Sequence, residues 1–438
     1  MKWSNLTDKW LNSRLMPYFI LGCLLGLYPL IDEKVIQAAI LLVIGSVSVF
    51  LINTKYHAAV IMDIFLLCAV IIEPAPSDIM FIFLIIFGVL NKKLKYSRVK
   101  SLLFVFLCIL GYVFINLTDM YAMMDNRTGI KYFGISLYLI IFCIYIALYT
   151  TSENMPSMQR AYVASATFSS VIGFMGYLGV FSQIVLYDAF RMKGLFKDPN
   201  VLAPFIIPAI IITIDDMRAK AVIRANNLWH FIIIFINMLA VIFTFSRAAW
   251  LNLAFSMFIY FIFNSKRVNL KKLLAYTFII VLCIGVVWGT LMDPVYKDFF
   301  LGRTKLQSYD MQRFEAQRTG FYLTMVNPLG WGPGQYEMAV SEIMNEEFSA
   351  HNLYIRLLLE NGIIGFILFL SVLIYIFIKL IVMDKNVRKG GMSTMLLSIL
   401  LGIMVNSAFI DTLHWRHFWF FIGMSLAVIG EGVVEVDY

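Results

Sequence analysis

Residues 362–382 read GIIGFILFLSVLIYIFIKLIV, 21 residues with a single charge at Lys379. A helix of about 20 apolar residues crosses the ~30 Å hydrocarbon layer of a bilayer. No water reaches the backbone there, so the segment must satisfy its own hydrogen bonds, and a helix does so. Just upstream lies Ala350-His351-Asn352-Leu353-Tyr354-Ile355-Arg356-Leu357-Leu358-Leu359-Glu360-Asn361, a helical pattern that runs into the apolar stretch. It closes the one long polar segment of the chain. Titratable chemistry therefore stands where the chain meets a membrane.

Outward from this stretch, apolar runs of similar length recur from end to end. Of the 438 residues 61% are hydrophobic and 14% charged, and the mean hydropathy is +0.82. A soluble domain carries about 25% charged residues. Spans are predicted at 15–31, 35–52, 56–72, 77–90, 99–117, 131–150, 161–184, 200–214, 228–245, 248–264, 273–292, 362–382, 393–410 and 417–431. The expected fold is an all-α polytopic membrane protein of about 12–14 transmembrane helices, with one large extracytoplasmic loop containing short helices. The strand alternation of an outer-membrane barrel is missing. The chain reads as a single integral membrane domain over 1–438, with the loop at 293–352.

The net charge of +8 would suit nucleic acid, but its distribution suits a membrane. One set of short segments holds 20 Lys and Arg and the opposite set 8. The positive-inside rule then puts both termini in the cytoplasm and residues 293–352 outside. Lys2, Lys9 and Arg14 precede an apolar run like a signal peptide, yet Tyr28-Pro29-Leu30-Ile31-Asp32 offers no small-residue cleavage site, so a retained first span is expected. The cysteines (Cys23, Cys68, Cys108, Cys143, Cys283) fall in apolar runs without a CxxC pair, which indicates neither disulfides nor zinc. The outer segment is aromatic enough to pack on the membrane domain. Helices are predicted at 309–326 and 335–347, with a turn at Asn327-Pro328-Leu329-Gly330-Trp331-Gly332-Pro333-Gly334.

Few residues can carry chemistry here. Arg247 sits between two apolar runs with almost no loop, where a guanidinium is costly and usually functional, the alternative being a snorkelling interfacial side chain. Arg191 is a second cation, or an ordinary loop charge. Arg318 falls on the expected outer helix, as a ligand contact or a salt-bridge partner. His351 is the one histidine of the outer segment, and imidazole exchanges a proton near pH 7. Nucleotide-binding glycine loops, HExxH and paired carboxylates are absent from the sequence, and Asp63 reads as the one acid well inside a span.

Three stretches together resemble the O-antigen ligase family, which includes many O-antigen and capsule polymerases. They are Gly194-Leu195-Phe196-Lys197-Asp198-Pro199-Asn200, Thr244-Phe245-Ser246-Arg247, and His351-Asn352 followed nine residues later by Gly362-Ile363-Ile364-Gly365. Arg318, the 327–334 turn and Asp411-Thr412-Leu413-His414-Trp415-Arg416 are also similar, so the ligase-like region is read as 190–420. The resemblance implies an inverting glycosyltransferase of the bacterial cytoplasmic (inner) membrane with an extracytoplasmic active site. Its donor is a glycan on undecaprenyl diphosphate; its acceptor is a glycan or a lipid-anchored sugar hydroxyl; membrane lipids surround it. Nucleic acid, metal and other cofactors are not expected. It also implies Arg191, Arg247 and Arg318 on the diphosphate, and His351 and Arg247 as catalytic positions. Asn352, Asn200, His414 and Arg416 are candidates for support. His351 is either the base for the acceptor or a cation on the diphosphate. Ligase and polymerase share these motifs. The competing class is a flippase or other transporter of lipid-linked glycan, which calls for inverted repeats that the chain does not display.

Overall fold

The computed structural model describes residues 52, 55–120, 123–264, 294–303, 305, 308–386 and 391–431. The predicted spans at 15–31 and 273–292, nearly all of that at 35–52, the retained-leader reading, and Cys23 and Cys283 lie outside the described residues. The described residues are helical and contain no strand, only an isolated bridge between Leu186 and Met192. The main helices are α1 (55–66), α2 (Pro76–Leu90), α3 (Leu103–Asp119), α4 (Asn126–Tyr149), α5 (Met155–Tyr177), α6 (Pro199–Ala219), α7 (Asn227–Phe243), α8 (Arg247–Asn264), α9 (Pro294–Arg303), α10 (Ser308–Val326), α11 (Tyr336–Met344), α12 (Leu353–Asn386), α13 (Gly391–Asn406) and α14 (Arg416–Glu431). Three candidate spans, Asn126–Tyr149, Pro199–Ala219 and Leu353–Met383, are long and apolar enough to cross a membrane. Pro76–Leu90, Leu103–Asp119, Asn227–Phe243 and Gly391–Asn406 are apolar but shorter. This is a membrane protein.

Several expected boundaries move for local reasons. The span predicted at 161–184 stops at Tyr177, because Gly179 turns left-handed (φ 85°) and Val180 donates back to the Met175 carbonyl. The span at 56–72 ends as a helix at residue 66. The one at 200–214 continues to Ala219.

The helices form two compact units, one of Met1–Leu94 with Glu153–Phe245, the other of Lys95–Ser152 with Ser246–Tyr438. In the first, α6 packs against α5 and α7. Asp198 caps it, accepting from the Asn200 N–H at 2.6 Å, with Pro199 next in line where its missing N–H costs nothing. The helix's extra turn carries Asp216, whose carboxylate accepts from the Val222 and Ile223 N–H groups and meets His230 Nε2 at 2.9 Å. A buried acid is tolerated in the last turn of this helix because it is fully partnered.

In the second unit α4 packs on α14, α3 on α12, and α8 on α13. Close approach is set by glycine. A Cβ on Gly423 would lie 2.7 Å from the Cys143 carbonyl, and one on Gly402 1.8 Å from Ser256 Oγ. The decisive feature is a break in α12 at Gly362 (φ 64°, ψ −176°). The helix leaves carbonyls and an N–H orphaned there, and the glycine turn fills them. Trp331 and Gly332 donate to the carbonyls of Leu359 and Glu360 at 2.9 and 2.8 Å, while Ile363 donates to Pro328 at 2.9 Å. The 327–334 turn is thus plugged into the break, with the Leu353–Asn361 helix on one side and the apolar run on the other.

Candidate functional site

α10 is the spine of the polar segment before α12. Its buried side is made of small residues, Ala316, Gly320 and Thr324 beside Leu323, and packs on α12. A Cβ on Gly320 would meet the Tyr336 ring at 2.8 Å and Ile355 at 3.0 Å. The Tyr336 hydroxyl donates to the Ala316 carbonyl at 2.8 Å, which fixes α11 to α10, and burial pushes that phenol up from its ordinary pKa.

Arg247 is the first residue of α8. Phe245, left-handed at φ 52°, turns the chain into it. One guanidinium nitrogen donates to both Asp310 carboxylate oxygens at 2.7 Å, and the other to the Lys305 carbonyl at 3.1 Å. Its side chain keeps about a third of its surface exposed. Asp310 lies in the first turn of α10. Two turns further on, Gln317 reaches the carbonyls of Ala350 and His351 at 3.3 and 3.5 Å. Seven residues of helix is about 10 Å. Arg247 and His351 are therefore moored to the same helix. Arg318 follows Gln317, a quarter turn round, and is exposed.

His351 adopts a left-handed φ of 42°, which a β-branched residue would resist. Asn352 then caps α12: its Oδ1 accepts from the N–H groups of Tyr354 and Ile355 at 2.9 and 3.2 Å, and its Nδ2 donates to the Ala408 carbonyl at 3.0 Å. The asparagine after the histidine thus has a backbone task.

Of the other expected residues, Arg191 and Asn200 belong to the first unit. Arg191 is buried, donates through Nε to the Thr244 carbonyl at 3.1 Å and through a terminal nitrogen to Asn200 Oδ1 at 3.3 Å, and lies over the Tyr187 ring. It is a pinned cation, unlike an ordinary loop charge. His414 lies in the second unit, its ring 5.2 Å from that of Tyr132 and its Nε2 3.4 Å from Ser136 Oγ. Arg416 opens α14.

Sequence reasoning passed over Arg356. It is 3% exposed and surrounded by acids: Asp411 Oδ2 at 2.7 Å, Glu360 Oε1 at 3.5 Å and a short hydrogen bond to Glu337, with the Tyr132 ring on another side. One arginine thus joins α11, α12 and the loop between α13 and α14. Burial favours the neutral form of Asp411, but the charges of Arg356 and His414 and the hydrogen bonds from the Leu413 N–H and Arg356 together outweigh it and hold that carboxyl below the usual range. The signal was in the sequence: Arg356 and Glu360 are one helical turn apart, flanking an apolar triplet.

Residues 231–370 match the family model described as O-antigen ligase. The resemblance to the O-antigen ligase family is shown. Members of this glycosyl-transferring family work in polysaccharide biosynthesis, and the matched region holds Arg247, Arg318, Arg356 and His351. It lies inside the 190–420 region read from the motifs and covers about a third of the chain. Comparison with curated proteins found no match.

Proposed function

We propose that this ligase-like protein transfers a glycan from an undecaprenyl-diphosphate carrier to a sugar hydroxyl at the outer face of the bacterial cytoplasmic membrane. The observation that carries this reading is that Arg247 and the backbone carbonyl of His351 are moored to one helix, two turns apart, with Arg318 on the same helix a quarter turn round from Gln317. In the transfer, the acceptor oxygen bonds to the anomeric carbon as the bond from that carbon to the diphosphate oxygen breaks. The bonding electrons leave with the diphosphate and the hydroxyl proton passes to a base. Diphosphate is a stable anion, so cations rather than a strong acid serve its departure. Guanidinium forks match its oxygens in pairs. Arg247 is a part-exposed cation held in place by Asp310 and the Lys305 carbonyl, Arg318 is open to solvent, and Arg191 is a third cation from the same motif set. His351 takes the proton or adds its own charge to the diphosphate.

The test is transfer by His351→Ala and Arg247→Ala, assayed with lipid-linked glycan in membranes where both variants insert normally. At least about a hundredfold loss is expected in each, the usual scale for a general base or a phosphate-stabilising cation. Wild-type rates in both would remove the assignment. A deletion strain sorts the product class: lipid-linked polymer accumulates without a ligase, and single lipid-linked repeats without a polymerase.

A further inference from the structure

The face of α10 that turns away from α12 is apolar. Met311, Phe314, Phe321, Tyr322, Met325 and Val326 are each between 48% and 61% exposed. At 3.6 residues per turn they occupy an arc of about 140°. Glu315 and Arg318 share that arc, Arg318 near its middle. The opposite arc holds Ala316, Gly320 and Thr324, so the larger hydrophobic side chains point outward. A helix in water shows the reverse pattern, and a contiguous apolar face of this size marks a surface that is covered.

What covers it follows from the neighbouring span. Leu329, just beyond α10, is exposed, and its carbonyl abuts Gly362, from which the exposed Ile363, Ile364 and Ile367 continue down α12. The apolar face of α10 is thus continuous with the outward face of the candidate span. That span is 31 residues long, and the part after Gly362 already suffices to cross a bilayer. The surplus, 353–361, carries Arg356 and Glu360 and belongs in the interfacial layer. α10 runs alongside it, Gln317 by residues 350 and 351 and Gly320 by Ile355.

We propose that α10 is an interfacial helix, its six exposed apolar side chains immersed among lipid chains and the Arg318 guanidinium reaching the lipid phosphates. Such a helix needs an apolar face, and an arginine within that face can lay its stem along the apolar surface while its head reaches the polar layer. This does not rest on the glycan-transfer reading. It does give Arg318 a position from which it meets anionic phosphate borne by lipid.

The experiment uses the full chain with p-benzoylphenylalanine at Tyr322, in vesicles of phosphatidylethanolamine and phosphatidylglycerol. A second protein with the same probe at Glu347 is the control. On irradiation, a phospholipid adduct seen by intact mass is expected at Tyr322, several-fold above that at Glu347. A cross-linked protein dimer in place of the lipid adduct, or a Tyr322 adduct no stronger than the one at Glu347, overturns the proposal. A dye on Met325→Cys in a background free of other cysteines reads the same face independently. Quenching by spin-labelled lipid chains is expected there, and quenching by aqueous iodide alone overturns it.

Discussion

Arg356 shows how much of the site's order rests on one buried charge. Its guanidinium is the counter-ion for Glu337, Glu360 and Asp411, on three separate parts of the chain. Removing it leaves carboxylates buried without a cation, a change that costs about 3–5 kcal/mol in buried pairs. Arg356→Ala is therefore expected to lower the unfolding temperature in detergent far more than Arg318→Ala, whose side chain is exposed. Equal shifts would show that the acids find other partners. The same cluster sets a pH dependence. The folded carboxyl of Asp411 lies below its ordinary value, so its stabilising contribution is present above about pH 4 and is lost as the pH falls through the folded value. Acid unfolding of the wild type is expected to begin earlier in Asp411→Asn, which starts without that contribution. His351, Arg247 and Arg318 were legible as candidates because their chemistry stands out against apolar sequence. Arg356 was legible only in part: its pair with Glu360, one turn on, is a local signal, but Glu337 and Asp411 are distant in sequence and no pattern brings them together.

At the scale of elements, the break in α12 and the glycine turn form one device. Gly362 has a backbone conformation that side chains rarely adopt, and a Cβ there would sit 2.3 Å from the Leu329 carbonyl. Gly330 meets the other side of the contact, at φ 112° and against the Glu360 carbonyl. Gly362→Ala is expected to cost about 2–5 kcal/mol from strain and overpacking combined, expelling the turn from the break. Gly134→Ala, in α4 with nothing near its would-be Cβ, is the matched control and is expected to be neutral or slightly stabilising. Limited proteolysis within 327–334 reads the outcome: faster cleavage in Gly362→Ala alone fits, and equal cleavage in both variants rejects the plug. The turn and the helix to either side were read correctly from sequence. That the turn docks into the helix was not, since hydrogen bonds between segments thirty residues apart leave no local periodicity.

At the scale of the molecule, the sequence conveyed helical class and membrane residence through run length and hydropathy alone, and the three long apolar helices agree. Span ends were less legible, because caps such as Asp198 and Asn352 and turns such as Gly179 decide them rather than hydropathy. Sidedness is the remaining question, and it is a matter of charge. Twenty Lys and Arg on one set of short loops against eight on the other predict, by the positive-inside rule, the loop before α7 inside and the segment around α11 outside. Glu347 and Arg224 are both exposed, so a cysteine at either can react without unfolding. In intact cells, a membrane-impermeant maleimide is expected to label Glu347→Cys at once and Arg224→Cys only after the membrane is permeabilised. The reverse order would invert the topology and put His351 on the cytoplasmic side, where a glycan already carried across the membrane could not be its substrate. Labelling of both in intact cells would separate them from any simple inside-outside assignment and defeat the charge argument as well.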